Sequence, residues 1–571
     1  MVNKSHFDER QYRLALLRSF ALVLFIILWI QFFERSVINH TNALADAKRQ
    51  QITKEEIVPK RGTIYAQSND GLFPIATTGE KYTITVVPKN TKDKQAASKM
   101  LAQNLGKDEK EIFDAINNEK LYIPPLAKRV EKGPAQKIID GKIAGVVVIP
   151  EYVRYYLEGT LGAHALGFVN YENKGNYGLE GYYDEQLKGY AGSVIAERDR
   201  KGRYISIGSK TDAQDGDSLI LTIDHNIQYN AESKLKDAIE KYGAQSGQII
   251  IIDVKTGDIL AMATLPSFDP NKFNEVKPED QSIFLNPVIS SVYEPGSIMK
   301  PIVIASGLDA GKIKPEDEET FGNMVVVQGY EIHTAQDKAF GKENITQILE
   351  NSDNVAMVWV AGKIGNETLF EYFKNFGFGA NFGIDSSGET TGKLLPLKQW
   401  RDIHRATMAF GQGISATPLQ ILMAYQAIGN DGILVQPRLV KSIVRSDGTK
   451  KDIEPKTLRS VIKPEIAEQV RRMLISVVER GHGKKAKVTG YIIGGKTGTA
   501  QIPKKEGGGY EENAHVGSFV GLIPGDKPQF AMLVKLDRPT NVEFAESSAA
   551  PTFGEVASFL LQYYHIPKEI E

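Results

Sequence analysis

The stretch Glu-Pro-Gly-Ser-Ile-Met-Lys-Pro, residues 294–301, places a serine three residues before a lysine. Residues three apart on a helix share one face, and the Pro-Gly pair predicts that a helix begins here with Ser297 in its first turn. A hydroxyl becomes a nucleophile when a base takes its proton. A lysine amine that burial or nearby positive charge keeps neutral is such a base. The spacing therefore predicts that Ser297 and Lys300 form a catalytic dyad for acyl transfer.

The Ser-x-x-Lys spacing alone is a weak signal, because it recurs at residues 233–236. That second copy lies within a helix predicted for residues 227–239, whose apolar residues form one stripe. No turn precedes its serine. We therefore expect Ser233 to be a solvated helix residue.

Two later motifs strengthen the first copy. Ser-Asp-Asn follows at residues 352–354, in a stretch that predicts a helix over 347–362, and Lys-Thr-Gly-Thr follows at 496–499. Another Lys-Thr-Gly at 255–257 stands between two apolar runs and predicts a hairpin turn. Ser352 and Asn354 could also be helix caps, which favour these residue types. In this order, however, the three motifs resemble those of the penicillin-recognising serine acyltransferases.

Further blocks narrow the resemblance to class B penicillin-binding proteins. These blocks are Gly-Gln-Gly-Ile-Ser-Ala-Thr-Pro-Leu-Gln at 411–420, His-Val-Gly-Ser-Phe-Val-Gly-Leu-Ile-Pro at 515–524, Arg-Gly-Thr-Ile at 61–64 and Gly-Leu-Glu-Gly-Tyr-Tyr-Asp at 178–184. The similarity covers most of residues 56–563. The entry block departs from the family, which continues with Asp-Arg-Asn-Gly where this chain has Ala-Gln-Ser-Asn-Asp-Gly at 66–71.

The resemblance implies an α/β fold and an order of domains. We expect a transpeptidase domain of the serine β-lactamase-like type, with an antiparallel sheet between helical layers, preceded by an elongated α+β pedestal of the dimerisation type and an N-terminal transmembrane helix. The predicted boundaries are a cytoplasmic tail at 1–18, an anchor at 19–38, a linker at 39–55, the pedestal at 56–214 and the transpeptidase domain at 215–571. The linker sequence, over 37–56, is typical of a helical stalk.

The resemblance also implies roles for the first two motifs. Ser297 would attack the carbonyl of a D-Ala-D-Ala peptide bond after Lys300 accepts its proton. Ser352 would pass a proton to the leaving amine, and Asn354 would hold the substrate amide and orient Lys300. Asp353 is expected to face away from the site.

The third motif is expected to bind the substrate carboxylate. Lys496 would supply fixed positive charge that keeps Lys300 neutral and attracts the carboxylate, while the hydroxyls of Thr497 and Thr499 would hydrogen-bond to it. Gly498 lies between them. Backbone N–H groups of Ser297 and Thr499 would form the oxyanion hole. The resemblance implies no metal and no cofactor.

Composition limits the other classes of function. The 571 residues carry a net charge of −1 and contain no basic run of the kind that nucleic-acid binding requires. The chain has no cysteine, which excludes thiolate catalysis and disulfides. A P-loop match at 490–497 lacks the buried strand before it and the helix after it that such a loop needs.

An uncharged apolar run at residues 19–33 follows several basic residues, Arg10, Arg13 and Arg18 among them. Extended through 14–17, this run approaches the length that spans a bilayer. The positive-inside rule then leaves the tail in the cytoplasm. We expect a single-pass protein of the bacterial cytoplasmic membrane with its catalytic domain outside. A cleaved signal peptide is the alternative, with Ala-Leu-Ala at 43–45 as its cleavage site.

The fate of the acyl-enzyme separates the functions that remain. The leading prediction is a D,D-transpeptidase that acts on lipid-linked or nascent peptidoglycan stem peptides and is acylated by β-lactams. It would work with a membrane glycosyltransferase and divisome proteins in septal synthesis. An elongation-type enzyme, a D,D-carboxypeptidase and an acylated β-lactam sensor or assembly component stay open. A Glu-x-x-x-Asn string at 371–375, like the deacylating motif of class A β-lactamases, is interpreted as accidental.

Overall fold

The computed structural model describes residues 5–38, 41, 52–198, 204–504 and 509–569. The α-helices, in chain order, are α1 (Ser5–Phe33), α2 (Lys94–Leu105), α3 (Glu109–Ile116), α4 (Lys132–Asp140), α5 (Ala163–Leu166), α6 (Gly178–Tyr182), α7 (Asp184–Lys188), α8 (His225–Tyr242), α9 (Pro287–Ser290), α10 (Lys300–Asp309), α11 (Ile345–Asn351), α12 (Asn354–Ile364), α13 (Asn366–Phe376), α14 (Asp402–Met408), α15 (Pro418–Gly429), α16 (Pro464–Glu479) and α17 (Ala549–Tyr563).

The strands, in the same order, are β1 (Ile52–Ile57), β2 (Ile64–Ser68), β3 (Gly71–Val86), β4 (Ala127–Val130), β5 (Val146–Tyr156), β6 (Phe168–Val169), β7 (Gly175–Asn176), β8 (Gly192–Arg198), β9 (Tyr204–Thr211), β10 (Ser218–Asp224), β11 (Ser246–Asp253), β12 (Ile259–Leu265), β13 (Glu318–Phe321), β14 (Met324–Val327), β15 (Tyr330–His333), β16 (Gly341–Asn344), β17 (Ile433–Val435), β18 (Val440–Val444), β19 (Lys450–Asp452), β20 (Thr457–Ser460), β21 (Gly494–Pro503), β22 (Tyr510–Ile523) and β23 (Phe530–Asp537).

The chain forms two compact units. One contains Met1–Pro59 and Gly189–Asp215, and the other contains Lys60–Lys188 and Gly216–Glu571. The first unit includes α1 and a three-stranded antiparallel sheet in the order β1-β8-β9. Of the described residues, Gln11–Ile38 form a helical segment long and apolar enough to cross a membrane. The predicted linker at 39–55 lies outside the described residues except for residue 41 and the first residues of β1.

The second unit contains a five-stranded sheet in the order β12-β11-β23-β22-β21, antiparallel throughout. Alternate residues of β11 enter different cores. Ile250 and Ile252 pack in one core with residues of α10 and α15, whereas Ile249 and Ile251 pack in another with residues of α8 and α17. A strand that is apolar on both faces is buried on both faces. The predicted antiparallel sheet between helical layers is therefore confirmed.

A second, mixed sheet runs through the predicted pedestal. Its strand order is β19-β18-β10-β2-β3-β4, and β5 pairs with β3. Strand β10 lies parallel to β2, with Leu219 opposite Ile64. Because β10 follows residue 215 in sequence, hydrogen bonds of one sheet join chain from both sides of the boundary predicted at 214/215.

Buried ion pairs explain why the entry block and the Gly-Leu-Glu block stand together. Glu180 is fully buried and accepts from Nε of Arg61 at 2.7 Å and from Nε of Arg154 at 2.6 Å. Nη1 of Arg61 also donates to Asp184 at 2.7 Å. A buried carboxylate is tolerated when it is paired in this way. The two blocks therefore form one ionic cluster in the pedestal.

Two of the structural interpretations from sequence are confirmed. Helix α8 contains the second Ser-x-x-Lys copy, and Ser233 on it is exposed. The second Lys-Thr-Gly, at 255–257, lies in the turn between the antiparallel strands β11 and β12. Neither copy is part of a catalytic set.

Candidate active site

Ser297 lies in a 3-10 turn, Gly296–Met299, and α10 begins at Lys300. The sequence predicted a helix that contains both residues, and the structure divides them between a tighter turn and the helix proper. Gly296 has φ +62, where only glycine is free of strain. Its N–H donates to the carbonyl oxygen of Gly411 at 3.1 Å. The turn is thus held from behind, and it presents a half-buried Ser297.

The amine of Lys300 is completely buried at the start of α10. Its Nζ donates to the carbonyl oxygen of Ser352 at 2.6 Å, to Asn354 Oδ1 at 2.8 Å and to Ser352 Oγ at 3.2 Å. Burial lowers the pKa of Lys300 well below its usual range, and the Lys496 charge lowers it further. Burial is the larger cause, so the expectation that Lys496 keeps Lys300 neutral describes the smaller one.

The hydroxyl of Ser297 makes no hydrogen bond within the described part of the chain. The contacts of Lys300 are all to the 352–354 motif. Catalytic hydrogen bonds are often long in an unliganded site and tighten when the substrate binds.

The Ser-Asp-Asn motif does not lie within a helix, as the sequence predicted, but between two. Ser352 has φ +56 and φ/ψ of the left-handed region, which ends α11. Asp353 caps the N-terminus of α12 by accepting from the N–H of Ala356 at 3.0 Å. This break turns the Ser352 carbonyl and the first residue of α12, Asn354, toward Lys300. The expectation that Asp353 faces away into solvent is wrong, because its side chain is fully buried.

Lys496 reaches the same hydroxyl from a distant strand. Its Nζ donates to Ser352 Oγ at 3.0 Å and to the carbonyl oxygen of Thr497 at 3.1 Å. The side chain is fully buried. Burial lowers the pKa of Lys496 to about 7, against a smaller opposing effect of Glu546. The expectation of fixed positive charge is therefore wrong for the free site, where the amine loses its proton near neutral pH.

Strand β21 forms the edge of the five-stranded sheet beside the serine turn. A Cβ at Gly498 would lie 3.0 Å from Ile298 Cγ2 and 3.0 Å from the carbonyl oxygen of Pro295. Glycine therefore permits the strand to lie against the turn. Thr497 is buried and Thr499 is exposed, and Thr499 Oγ1 accepts from the N–H of Ala545 at 3.1 Å.

The block at 411–420 supports the turn from the other side. The backbones of Tyr293 and Ala416 exchange two hydrogen bonds, each of 3.0 Å. A Cβ at Gly411 would lie 2.1 Å from the carbonyl oxygen of Gly296, which shows how closely the two segments approach. Tyr425 of α15 donates its hydroxyl to the carbonyl oxygen of Ile298 at 2.9 Å. The turn that carries the serine is therefore held at its start and in its middle.

A groove of about 1100 Å³ begins beside the serine turn. Tyr293 and Glu294 line it just upstream of Ser297, and residues 501–503, at the end of β21, line it on the other side. The Glu294 carboxylate also accepts from Tyr510 and from the N–H of Gly413, each at 2.9 Å. A chain of substrate size can thus approach along β21.

All eight site residues predicted from the sequence surround this one location. Sequence reasoning missed three further residues there: Gly411 and Tyr425, which support the turn, and Glu343, which is buried beside Asp353. The block at 411–420 had been noticed, but only as a resemblance. Nothing in the sequence distinguishes Glu343 from the exposed acidic residues around it.

The site chemistry agrees with comparisons to known proteins. The sequence model of the penicillin-binding protein transpeptidase domain matches residues 247–558, and that of the penicillin-binding protein dimerisation domain matches residues 56–221. Stage V sporulation protein D of Bacillus subtilis is 34% identical, over 87% of this chain and 77% of its own length. The peptidoglycan D,D-transpeptidase FtsI of Escherichia coli K12 is 31% identical, over 96% and 91%.

A solved structure shares the architecture. Penicillin-binding protein 3 of Mycobacterium tuberculosis, in complex with aztreonam, superposes with a TM-score of 0.71 and 26% identity, covering 90% of this chain and 98% of that one. The transpeptidase match includes all three motifs, and the dimerisation match precedes it. With the serine turn and the two buried lysines in one location, the chain belongs to the class B penicillin-binding proteins.

Proposed function

We propose that this protein is a serine-type peptidoglycan D,D-transpeptidase that cross-links stem peptides through an acyl-enzyme on Ser297. The observation that carries the proposal is the convergence of two buried amines on one hydroxyl: Nζ of Lys300 and Nζ of Lys496 lie 3.2 and 3.0 Å from Ser352 Oγ. A low pKa at Lys300 supplies the base that an unactivated serine needs. The name of the Escherichia coli relative states the same activity for that protein.

In the acylation step, Ser297 Oγ attacks the carbonyl carbon of the D-Ala-D-Ala bond as its proton moves to Lys300 Nζ. The Oγ–C bond forms and the C–N bond breaks. Ser352 Oγ, which contacts Lys300, passes a proton to the leaving nitrogen, and free D-alanine departs. Removal of a proton relay of this kind costs about 10²–10⁴ in rate.

Electrostatic contacts are proposed to hold the reacting groups. The backbone N–H groups of Ser297 and Thr499 receive the oxyanion, a contact of a type worth about 2.7–4 kcal/mol per donor. Lys496, Thr497 and the Thr499 hydroxyl bind the terminal carboxylate. Since burial lowers the pKa of Lys496 to about 7, an incoming carboxylate raises it again and restores the ammonium. Gly498 leaves space for the substrate backbone, and Asn354 binds its amide.

The amine of a second stem peptide then attacks the ester. A new amide forms, Ser297 recovers its proton through Lys300, and a cross-link results. Attack by water would instead make the protein a D,D-carboxypeptidase, which is the second candidate function. The groove beside the serine turn favours the transpeptidase, because it offers room for a second peptide.

A covalent label tests the nucleophile. Fluorescent penicillin should label the wild-type full-length chain and should not label Ser297→Ala. Ser233→Ala, at the exposed copy of the motif, is the matched control and should label normally. Labelling of Ser297→Ala would refute the assignment.

The products test the reaction. With lipid-linked substrate and a glycosyltransferase present, the ratio of cross-linked dimer to uncross-linked peptide that has lost D-alanine separates the two functions. A preponderance of dimer supports the transpeptidase. Loss of D-alanine with no dimer would indicate a carboxypeptidase, and acylation without release of D-alanine would indicate a sensor.

The cellular setting is proposed from the sequence. Gln11–Ile38 anchor the chain in the cytoplasmic membrane with residues 1–18 inside and the domains from 56 onward outside, supported by the length and apolarity of that helix. The partners proposed are a membrane glycosyltransferase and proteins of the divisome. A septal role is favoured over elongation by the Lys-Thr-Gly-Thr form at 496–499 and the Ser518-Phe519 flank. Depletion in the native cell should give filaments, whereas rounded cells would indicate elongation.

A further inference from the structure

Two buried carboxyl groups lie behind Lys300. Glu343 is on β16, directly before α11, and is 2% exposed. Asp353 stands between α11 and α12 and is 0% exposed. Helix α11 thus connects the two acids, and both are close enough to Lys300 to affect its charge. The site contains more buried acid than one amine requires.

Each carboxyl group has one oxygen satisfied and one without a donor. Glu343 Oε1 accepts from Asn351 Nδ2 at 2.7 Å, and Asp353 Oδ1 accepts from the N–H of Ala356 at 3.0 Å. Glu343 Oε2 and Asp353 Oδ2 are both buried, and neither receives a hydrogen bond from any described residue. The two carboxyl groups are in hydrogen-bond contact with each other. Buried polar atoms are rarely left without a partner, and a single proton between the two groups satisfies both.

We propose that Glu343 carries this proton and donates it from Oε2 to Oδ2 of Asp353, so that the pair places one negative charge beside Lys300 rather than two. The proposal rests on the proposed function, in which Lys300 is the base. Glu343 does not touch the substrate. It is a positioning residue that acts through Asp353.

The surrounding groups support a protonated Glu343. Burial raises its pKa to about 7, with further increases from Asp353 and an opposing effect of Lys300. Asn351 on α11 donates to it, and Glu319, opposite it on β13, is exposed. No other charged side chain among the described residues contributes to its pKa.

The number of negative charges controls the base. Burial and Lys496 lower the pKa of Lys300, whereas Asp353 and Glu343 raise it. One carboxylate stabilises the ammonium that forms when Lys300 takes the serine proton. A second carboxylate would hold the ammonium before the reaction, and the amine could no longer act as a base. Protonated Glu343 therefore keeps Lys300 reactive near neutral pH.

The variant Glu343→Gln tests this, because its amide donates to Asp353 at every pH. The measurement is the second-order rate of acylation of the full-length chain by fluorescent penicillin, from about pH 5.5 to 9. In the wild type, ionisation of Glu343 and deprotonation of Lys496 both lower the rate above about pH 7, so that log rate falls by about two per pH unit. In Glu343→Gln, the rate at pH 6.5 should stay within about threefold of wild type, and the fall should become about one per unit.

Glu343→Leu is the matched contrast, since it is neutral but donates no hydrogen bond, and it should be slower than Glu343→Gln at every pH. An infrared band of a protonated carboxylic acid, present in the wild type at pH 6 and absent from Glu343→Gln, reports the proton directly. The proposal is overturned if Glu343→Gln keeps the wild-type slope, if it loses more than about tenfold at pH 6.5, or if the band is unchanged. Failure of the proposed function is different: the wild type would then not be labelled at Ser297 at all.

Discussion

Lys496 and Ser352 are 144 residues apart in the chain, yet the lysine Nζ lies 3.0 Å from the serine Oγ. The first stands on an edge strand and the second at a break between two helices. Ser352 Oγ is also 3.2 Å from Nζ of Lys300. One hydroxyl therefore links a charged amine to a neutral one, which is the arrangement that a proton relay needs.

The pH dependence of acylation should reveal Lys496. Because burial lowers its pKa to about 7, the ammonium that attracts a β-lactam carboxylate is lost as pH rises above that value. Lys496→Met should acylate about 10²–10³ times more slowly at pH 6, and its remaining rate should lack the contribution of Lys496 to the alkaline fall. An unaltered profile in this variant would show that another group titrates there.

The same lysine should cost the protein stability. Its pKa falls from 10.5 in the unfolded chain to about 7 in the folded one, so the unfolded state binds the proton more tightly. This penalty is fully present below about pH 7 and disappears as pH rises through 10.5. Thermal unfolding should therefore show Lys496→Met to be more stable than wild type at pH 6, by a margin that shrinks toward pH 10. A margin that grows with pH would contradict this.

Substitutions at Ser352 should separate the hydroxyl from the backbone. Ser352→Gly and Ser352→Ala both remove the relay, so both should acylate about 10²–10⁴ times more slowly. Only glycine accepts φ +56 without strain, and Ser352→Gly should be about 1–2 kcal/mol more stable than Ser352→Ala. Denaturant unfolding together with labelling rates provides the check. Equal stability of the two variants would refute the strained helix break.

A methyl group at Gly498 should damage the site. The added Cβ would lie 2.9 Å from Ser518 Oγ and 3.0 Å from Ile298 Cγ2, which forces β21 away from the serine turn. We expect Gly498→Ala to label at least about tenfold more slowly, because small displacements of reacting groups cost this much. Gly133→Ala is the control, since a Cβ there has open space, and it should label like the wild type.

Tyr425 should prove to be a support of the turn. Tyr425→Phe leaves the buried carbonyl oxygen of Ile298 without its donor, now at 2.9 Å, and should lower the free energy of unfolding by about 1–3 kcal/mol. Labelling should slow only a few-fold, because Gly411 and Tyr293 still hold the turn. Full stability with abolished labelling would instead point to a direct role in the reaction.

The sequence was sufficient for the family, the α/β fold and the eight site residues, because the motifs combine rare spacing with a definite order. It was also sufficient for local elements such as α8 and the 255–257 turn, whose patterns depend on near neighbours. The helix predicted over 347–362 was wrong, since the left-handed conformation of Ser352 is not apparent from a residue type that also occurs inside helices.

The charge states depended on the folded chain. Sequence assigned permanent charge to Lys496 and an outward position to Asp353, and burial contradicts both. A pKa follows from desolvation and from charges brought together across the chain. The motifs record which chemical groups are available, whereas the packing of α10, α11 and β21 around them sets which of those groups hold a proton.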